Sequence, residues 1–280
     1  MSGRVFGGKE EPSLREVLNG QEPPTFQELT LRVLRILRDP EASLREIADA
    51  IDWDPGLVVR VLSTVNSAAF GPAREIQDVA HAASFLGRTQ LEQIVLSVAV
   101  RDALPSQPAP GFEPRRFWRA AARRAALSRT VAEELHPASA AHSFTIGLLQ
   151  DMAVPILAST RPKDYGIALQ RWHAPESVKS CLTSLEQQTI GLDHATVGEW
   201  IGKHWELPKT LVQGIAFHHS SDKTDREVPP AVRLAALVRE EECEEGTDAL
   251  VELARTDYGL RPEWMLEAIR EAGENASELL

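Results

Sequence analysis

Arg115, Arg119 and Arg123 recur at every fourth position of one segment, with Arg116, Arg124 and Arg129 among them. On a helix an i, i+4 stripe shares one face, and guanidinium groups grip phosphate or carboxylate through paired donors. The stripe has the form of a face for a nucleotide phosphate or an acidic partner. It equally has the form of a solvated face paired with Glu133, Glu134 or the acidic body. Asn66-Ser67 sets an amide beside a hydroxyl, but a serine nucleophile needs a base. No histidine lies near it in sequence and no elbow motif surrounds it. Asn66 is expected to hydrogen-bond the backbone at the turn ending its helix, where Gly71-Pro72 redirects the chain. Cys181 and Cys243 form no metal or redox spacing, and His81, His136, His142, His173 and His204 are scattered. There is no glycine-rich phosphate loop, zinc-ligand cluster or nucleotide fingerprint.

The elements that must position these groups read as helices throughout. Phe26, Leu29, Val33, Leu34 and Leu37 recur at helical spacing until Asp39-Pro40. Ser43 and Glu46 have the form of a capping box, which starts a helix carrying Leu44, Ile47, Ala48 and Ile51. Asp54-Pro55 puts a side-chain cap before a proline at the first helical position. Helices are expected over 78–86 and 88–104, and Pro114 opens a long one through Leu135. Beyond it the pattern predicts helices over 138–157, 162–172, 175–188, 194–205, 208–219, 230–242 and 262–271. Glu240 to Glu242, with Glu244 and Glu245, reads as a solvated helix end. No run alternates as a half-buried strand does. The tryptophans, Trp53, Trp118, Trp172, Trp200 and Trp205 among them, are expected to anchor the core or a subdomain interface.

The chain divides into a loosely ordered tail over 1–22, an N-terminal helical subdomain over 23–104, a Pro-rich linker over 105–111 and a second helical subdomain over 112–280. Within the tail, Leu14 to Leu18 has the makings of a short docking helix. With 280 residues, 43% hydrophobic and 25% charged, the chain can bury a substantial core. Its net charge of -11 makes it a poor general binder of nucleic acid. The N-terminus has no signal-peptide core, and Ile94 to Val100, the longest apolar run, is far short of a membrane span. A soluble, cytoplasmic protein without a membrane partner is expected, its cysteines idle thiols.

Several motifs in order give a more specific reading. They are Asp39-Pro40, the stretch from Asp54-Pro55 through Asn66-Ser67 to Gly71, Leu86-Gly87, Phe117-Trp118, Gly147 to Asp151, Asp193-His194 to Gly198, Trp205 to Pro208, and His218-His219. Between about Pro24 and Val238 the chain resembles the HDOD proteins, a degenerate relative of the HD and HD-GYP phosphohydrolases. The resemblance implies an all-α fold, an N-terminal helical bundle packed against a C-terminal HD-like helical subdomain. It makes Asp54, Pro55, Asn66, Ser67 and Gly71 structural residues of the family motif.

HD-type hydrolases hold divalent metal with an early His, an adjacent His-Asp pair and a late Asp, and some add histidines for a second metal. The metal lowers the pKa of bound water and stabilises charge on phosphate. By the resemblance, those positions here are Ala120, Gln150-Asp151 and Ala236, so three of four primary ligands are missing. Asp151, His194, His218 and His219 remain as a vestigial pocket. They could be a residual metal or anion site. We expect instead hydrogen-bonded relics that hold helices together, because neighbours on a helix such as His218 and His219 lie about 100° apart. No catalytic residue, cofactor or bound metal is expected. The implied function is a non-catalytic bacterial signalling module that contacts a sensor, a response regulator or a second-messenger enzyme. The alternatives are a binding module for a phosphorylated small molecule or nucleotide second messenger, and a metal-dependent phosphohydrolase.

Overall fold

The computed structural model describes residues 13–67, 70–174, 181–220, 228–240 and 244–276, and among them every regular element is helical. In chain order the helices are α1 (Leu14–Val17), α2 (Glu28–Arg38), α3 (Leu44–Asp52), α4 (Pro55–Asn66) and α5 (Val79–Ala103). Next come α6 (Pro114–Leu135), α7 (Ala140–Leu149), α8 (Ala153–Thr160), α9 (Asp164–His173) and α10 (Leu182–Ile190). The set closes with α11 (His194–His204), α12 (Lys209–Phe217), α13 (Pro230–Ala235), α14 (Glu244–Tyr258) and α15 (Pro262–Asn275). None is long and apolar enough to cross a membrane.

Side-chain caps set many of the starts. Ser43 and Glu46 form the expected capping box, and Ser13 and Glu16 form another that opens α1. Asp54 accepts from the Leu57 amide with Pro55 at the first position of α4. Asp78, Glu113 and Asp193 cap α5, α6 and α11 in the same manner. α5 is broken at Gly87, where φ is +72°, so it is two helical segments that meet there, as expected from the sequence.

Three features differ from the sequence reading, besides a helix expected over 230–242 that stops at Ala235. The stretch expected as one helix over 138–157 is two, α7 and α8, separated by a turn at 150–152. Pro155 is the cause. It has no N–H for the Asp151 carbonyl, which accepts from Val154 at 2.9 Å instead. α14 begins inside the acidic run, at Glu244, and buries Leu250 and Ala254, an i, i+4 pair in a mostly apolar stretch over 249–254 that the sequence reading passed over. The third is that the end of the expected loose tail is docked, through the short helix foreseen at Leu14 to Leu18. Residues 13–20 dock through buried Val17 and Leu18, and Arg161 donates to the carbonyls of Glu16 and Val17. Residues 1–12 lie outside the described residues.

The linker over 105–111 does not divide the core. One apolar cluster runs from Val17 in α1 to Val232 in α13, taking in α2 to α5 together with α6 to α8. Gly111, at φ +74°, sits so tightly on α9 that a Cβ there would lie 2.8 Å from the Leu169 side chain. A second cluster joins α6, α13, α14 and α15 around Leu127, Leu234 and Met265. α6 is therefore covered on most sides, and its Ala120, Ala121, Ala122, Ala125 and Ala126 keep its neighbours close.

Asn66 does bond backbone, but across a loop rather than at its own turn. Its Oδ1 accepts from the Ile76 amide and its Nδ2 donates to the Ile76 carbonyl, both at 2.8 Å. Ser67 Oγ donates to Thr64 O at 2.7 Å, and Gly71 has a positive φ of 50°.

Replacing Asp54 by Ala is expected to cost about 1 kcal/mol in urea melts, since it removes one cap. Gly147→Ala is expected to cost about 1–3 kcal/mol, because the new Cβ would lie 2.7 Å from the Arg124 carbonyl oxygen, forcing α7 off α6. An unchanged midpoint in either variant would refute the corresponding assignment.

Candidate functional site

Five segments deliver side chains to one place. α6 brings Arg124, the turn after α7 brings Asp151, α10 brings Glu186, α11 brings His194, and the end of α12 brings His218 and His219. Each position has a local cause. The Pro155 break ends α7 at Leu149, leaving Asp151 in a turn rather than on a helix face. Asp193 caps α11 through the Thr196 amide and is itself held by Gln187 Nε2, so His194 opens the helix beside α10. α12 ends at Phe217. His218 follows as the C-cap with helical backbone angles, φ −60° and ψ −22°, yet its ring centroid stands 4.0 Å from that of His219, so the divergence expected of adjacent helical residues does not keep the two imidazoles apart.

The groups form a chain of alternating charge. Glu186, fully buried, accepts from the His194 backbone amide at 2.9 Å, from His194 Nδ1 at 2.8 Å and from the Tyr165 hydroxyl at 2.5 Å. These three donors, one of them at a helix N-terminus, offset the desolvation of its carboxylate. Burial opposes charge on His194, but Glu186 and Asp151 outweigh it and lift that imidazole well above its usual range. Burial likewise favours a neutral Asp151. Arg124 and the histidines overcome this and hold its carboxyl well below the ordinary range. Arg124 Nη2 lies 2.9 Å from Asp151 Oδ2, and its Nη1 donates to the Val238 carbonyl at 3.1 Å.

Asp151 Oδ1 faces the other way. It lies 3.3 Å from His194 Nε2 and 3.1 Å from His218 Nε2, close enough for attraction but off-line for a hydrogen bond. His194 Nε2 is also 3.3 Å from His218 Nε2 and 3.1 Å from His219 Nε2. His218 Nδ1 sits 2.7 Å from the Ile215 carbonyl, which can only accept, so Nδ1 carries the proton. Desolvation, with His218 and His194 alongside, pushes His219 well below the imidazole range. One edge of that ring stays exposed to a cavity of about 470 Å³, walled by Trp172, Leu182, Leu237 and, from α14, Gly246 and Ala249.

The structure thus brings Asp151, His194, His218 and His219 together. Of the four positions that the resemblance assigns to primary metal ligands, Asp151 alone carries a carboxylate or an imidazole. Ala120 and Ala236 carry no donor atom, and Gln150 is buried with neither amide atom hydrogen-bonded among the described residues. The Arg124 guanidinium takes the oxygen of Asp151 that faces away from the histidines. The arginine stripe is not one surface, since Arg115 and Arg119 are exposed while Arg123 is buried where α6 is covered by its neighbours. Sequence reasoning named Arg124 only among the arginines of its helix, and it passed over Glu186 and Tyr165. Arg124 had a usable signal, lying one helical turn past Ala120, whereas Glu186 had none.

Glu240 lies beside the site, 3.6 Å from His173 Nε2 and 3.9 Å from Arg116 Nε. Burial pushes it up to about 7, with Asp151 and Glu113 adding to the rise and Arg124 and Arg116 opposing it. A raised folded-state value stabilises the protein below the ordinary range near 4.5, and that stability is lost as pH rises through 7. Glu240→Gln is therefore expected to gain on the wild type between pH 5 and pH 8, by an amount on the order of 2 kcal/mol. Melting curves at the two pH values test this, and an equal difference at both would refute it.

Comparison with known proteins gives consistent matches. The family model for the HDOD domain matches residues 24–221. A Treponema pallidum protein of uncharacterised function is 26% identical over 215 residues, covering 76% of this chain but only 41% of its own length. The chain therefore spans less than half of that relative. The solved structure of an HDOD domain protein of unknown function from Geobacter sulfurreducens superposes with a TM-score of 0.72 at 20% identity, covering 95% of this chain and 97% of that one. A Marinobacter aquaeolei structure, provisionally named a signal transduction protein, gives 0.67 at 19% identity, covering 99% and 62%. At these identities the likeness is one of fold.

Proposed function

The chain belongs to the HDOD family, and from that premise we propose that it is a non-catalytic bacterial signalling module that works through protein contacts. One observation carries the reading. Asp151, the remaining primary metal ligand, is ion-paired through Oδ2 to the buried guanidinium of Arg124, while Ala120, Gln150 and Ala236 supply no replacement ligand. A hydrolytic metal must be fixed by several ligands and still leave a position for water. The provisional name of the Marinobacter relative points in the same direction. Trp53, Val59 and Phe85 stay exposed on the N-terminal helices, apolar surface of the kind a partner covers. Sensors, response regulators and second-messenger enzymes are the partner classes to try.

The cavity beside His219 favours a second reading, the binding of a phosphorylated small molecule or nucleotide. Its volume suits such a ligand, and Arg124, Arg239 and Trp172 line it. A ligand of this kind would raise the melting temperature by mass action.

The protein is expected to release no phosphate from mono- or diesters when supplied with manganese, iron or zinc. Phosphate release and diester cleavage are the measurements. A metal-dependent rate that disappears in Asp151→Ala would defeat the non-catalytic reading.

A further inference from the structure

The cavity beside His219 is walled in part by residues outside the HDOD domain. Leu237 and Val238, with Gly246 and Ala249 of α14, all lie beyond the residues matched to that domain. Gly246 and Ala249 stand three apart on α14, so they share one face and bring almost no side chain to it. Space that larger residues would fill is left as a cavity of about 470 Å³, the size of a small-molecule site. Trp172 and Leu182 complete its apolar side, and Leu237 is among the large apolar residues left exposed.

The charges around this space are already matched. Arg124 pairs with Asp151 at 2.9 Å and donates to the Val238 carbonyl. Arg239 donates to the Trp172 carbonyl at 2.8 Å, and its guanidinium lies over the Trp172 ring, 5.2 Å from the centroid. His194 is held between Glu186 and Asp151. A phosphate entering here would give up its hydration without an uncommitted cation to receive it among the described residues, and it would face the Asp151 carboxylate. A cationic ligand fares no better, because Arg124 and His194 already flank that carboxylate.

One polar group is left over. His194, protonated on both nitrogens, donates from Nε2 to His219 Nε2 at 3.1 Å, so a neutral His219 carries its own proton on Nδ1. That N–H has no partner among the described residues, and His219 is the exposed member of the cluster.

We propose that this cavity binds an uncharged, mainly apolar small molecule that presents one acceptor oxygen, such as a carbonyl, to His219 Nδ1–H. The apolar walls supply affinity through the area they cover, and the single N–H fixes orientation. This assignment rests on the cavity being a ligand site, as in the phosphorylated-ligand reading, and it changes the class of ligand to a neutral one.

The test is ligand-observed NMR titration of the full-length protein with three molecules that share one ring system, naphthyl methyl ketone, naphthalene and naphthyl phosphate. The ketone is expected to saturate with a dissociation constant on the order of 0.1–1 mM, given its size. Naphthalene is expected to bind several-fold more weakly, and naphthyl phosphate at least about tenfold more weakly. His219→Ala removes the N–H and is expected to erase the preference for the ketone over naphthalene. Ala249→Trp fills the cavity and is expected to abolish binding. Both residues are exposed, so the variants should fold, and circular dichroism checks this. No saturable binding of the ketone, binding unchanged in Ala249→Trp, or a preference that survives His219→Ala overturns the proposal. Tighter binding of naphthyl phosphate, displaced by inorganic phosphate, also overturns it but leaves the phosphorylated-ligand reading standing. Absence of binding by all three defeats both readings of the cavity and leaves the signalling role.

Discussion

Asp151 and Glu186 are carboxylates held in a protein interior, and burying them is tolerable only if cations and N–H donors surround them. The chain Glu186–His194–Asp151–Arg124 meets that requirement by alternating sign from one group to the next. It also ties together α10, α11, the turn after α7, and α6. Removing one member would leave its neighbour charged and unpaired, which in buried networks costs more than the intact pair contributes. The helices of the second half thus owe their mutual placement to electrostatic compensation as well as to apolar packing. Tyr165 extends the network to α9 through its bond to Glu186.

Two backbone features make that network reachable. The missing amide of Pro155 ends α7 early and turns Asp151 inward, between Arg124 and the histidines. Gly147, one turn earlier, lets α7 lie against the α6 backbone at Arg124, where any side chain would collide. Close approach of two helices and a sharp stop in one of them together set a distance that neither feature sets alone. His218 and His219 follow at the end of α12, where the His218 backbone is still helical, and their rings meet His194 from there.

The C-terminal segment adds a further layer. Ala236 to Arg239, Gly246 and Ala249 wall the cavity over His219, and all lie beyond the residues matched to the HDOD domain. Arg124 holds this wall through the Val238 carbonyl, so the group that neutralises Asp151 also fixes the cover of the cavity. The single apolar cluster across the 105–111 linker packs the N-terminal helices against α6 to α8, the elements that flank Arg124 and Asp151.

Much of the fold was legible in the sequence because its signals are local. Ser43 with Glu46, Asp54 with Pro55, and Pro114 act within one helical turn, and each marks a helix start in the structure. The helical spacing and the family motifs pointed to the all-α class that the helices of the structure bear out. α14 was passed over although residues 249–254 hold one charge, Glu252, among apolar side chains, and the α7–α8 break escaped because Pro155 was read within a continuous apolar run. By itself, then, the sequence determined which chemical groups exist, which are missing, and where most helices begin. Only the tertiary structure decided that Arg124 rather than Arg123 meets Asp151, that Glu186 backs His194, and that the histidine nitrogens share one centre with Asp151. Those choices depend on helix crossings and stopping points spread over more than 90 residues, and no local pattern encodes a distance between side chains so far apart.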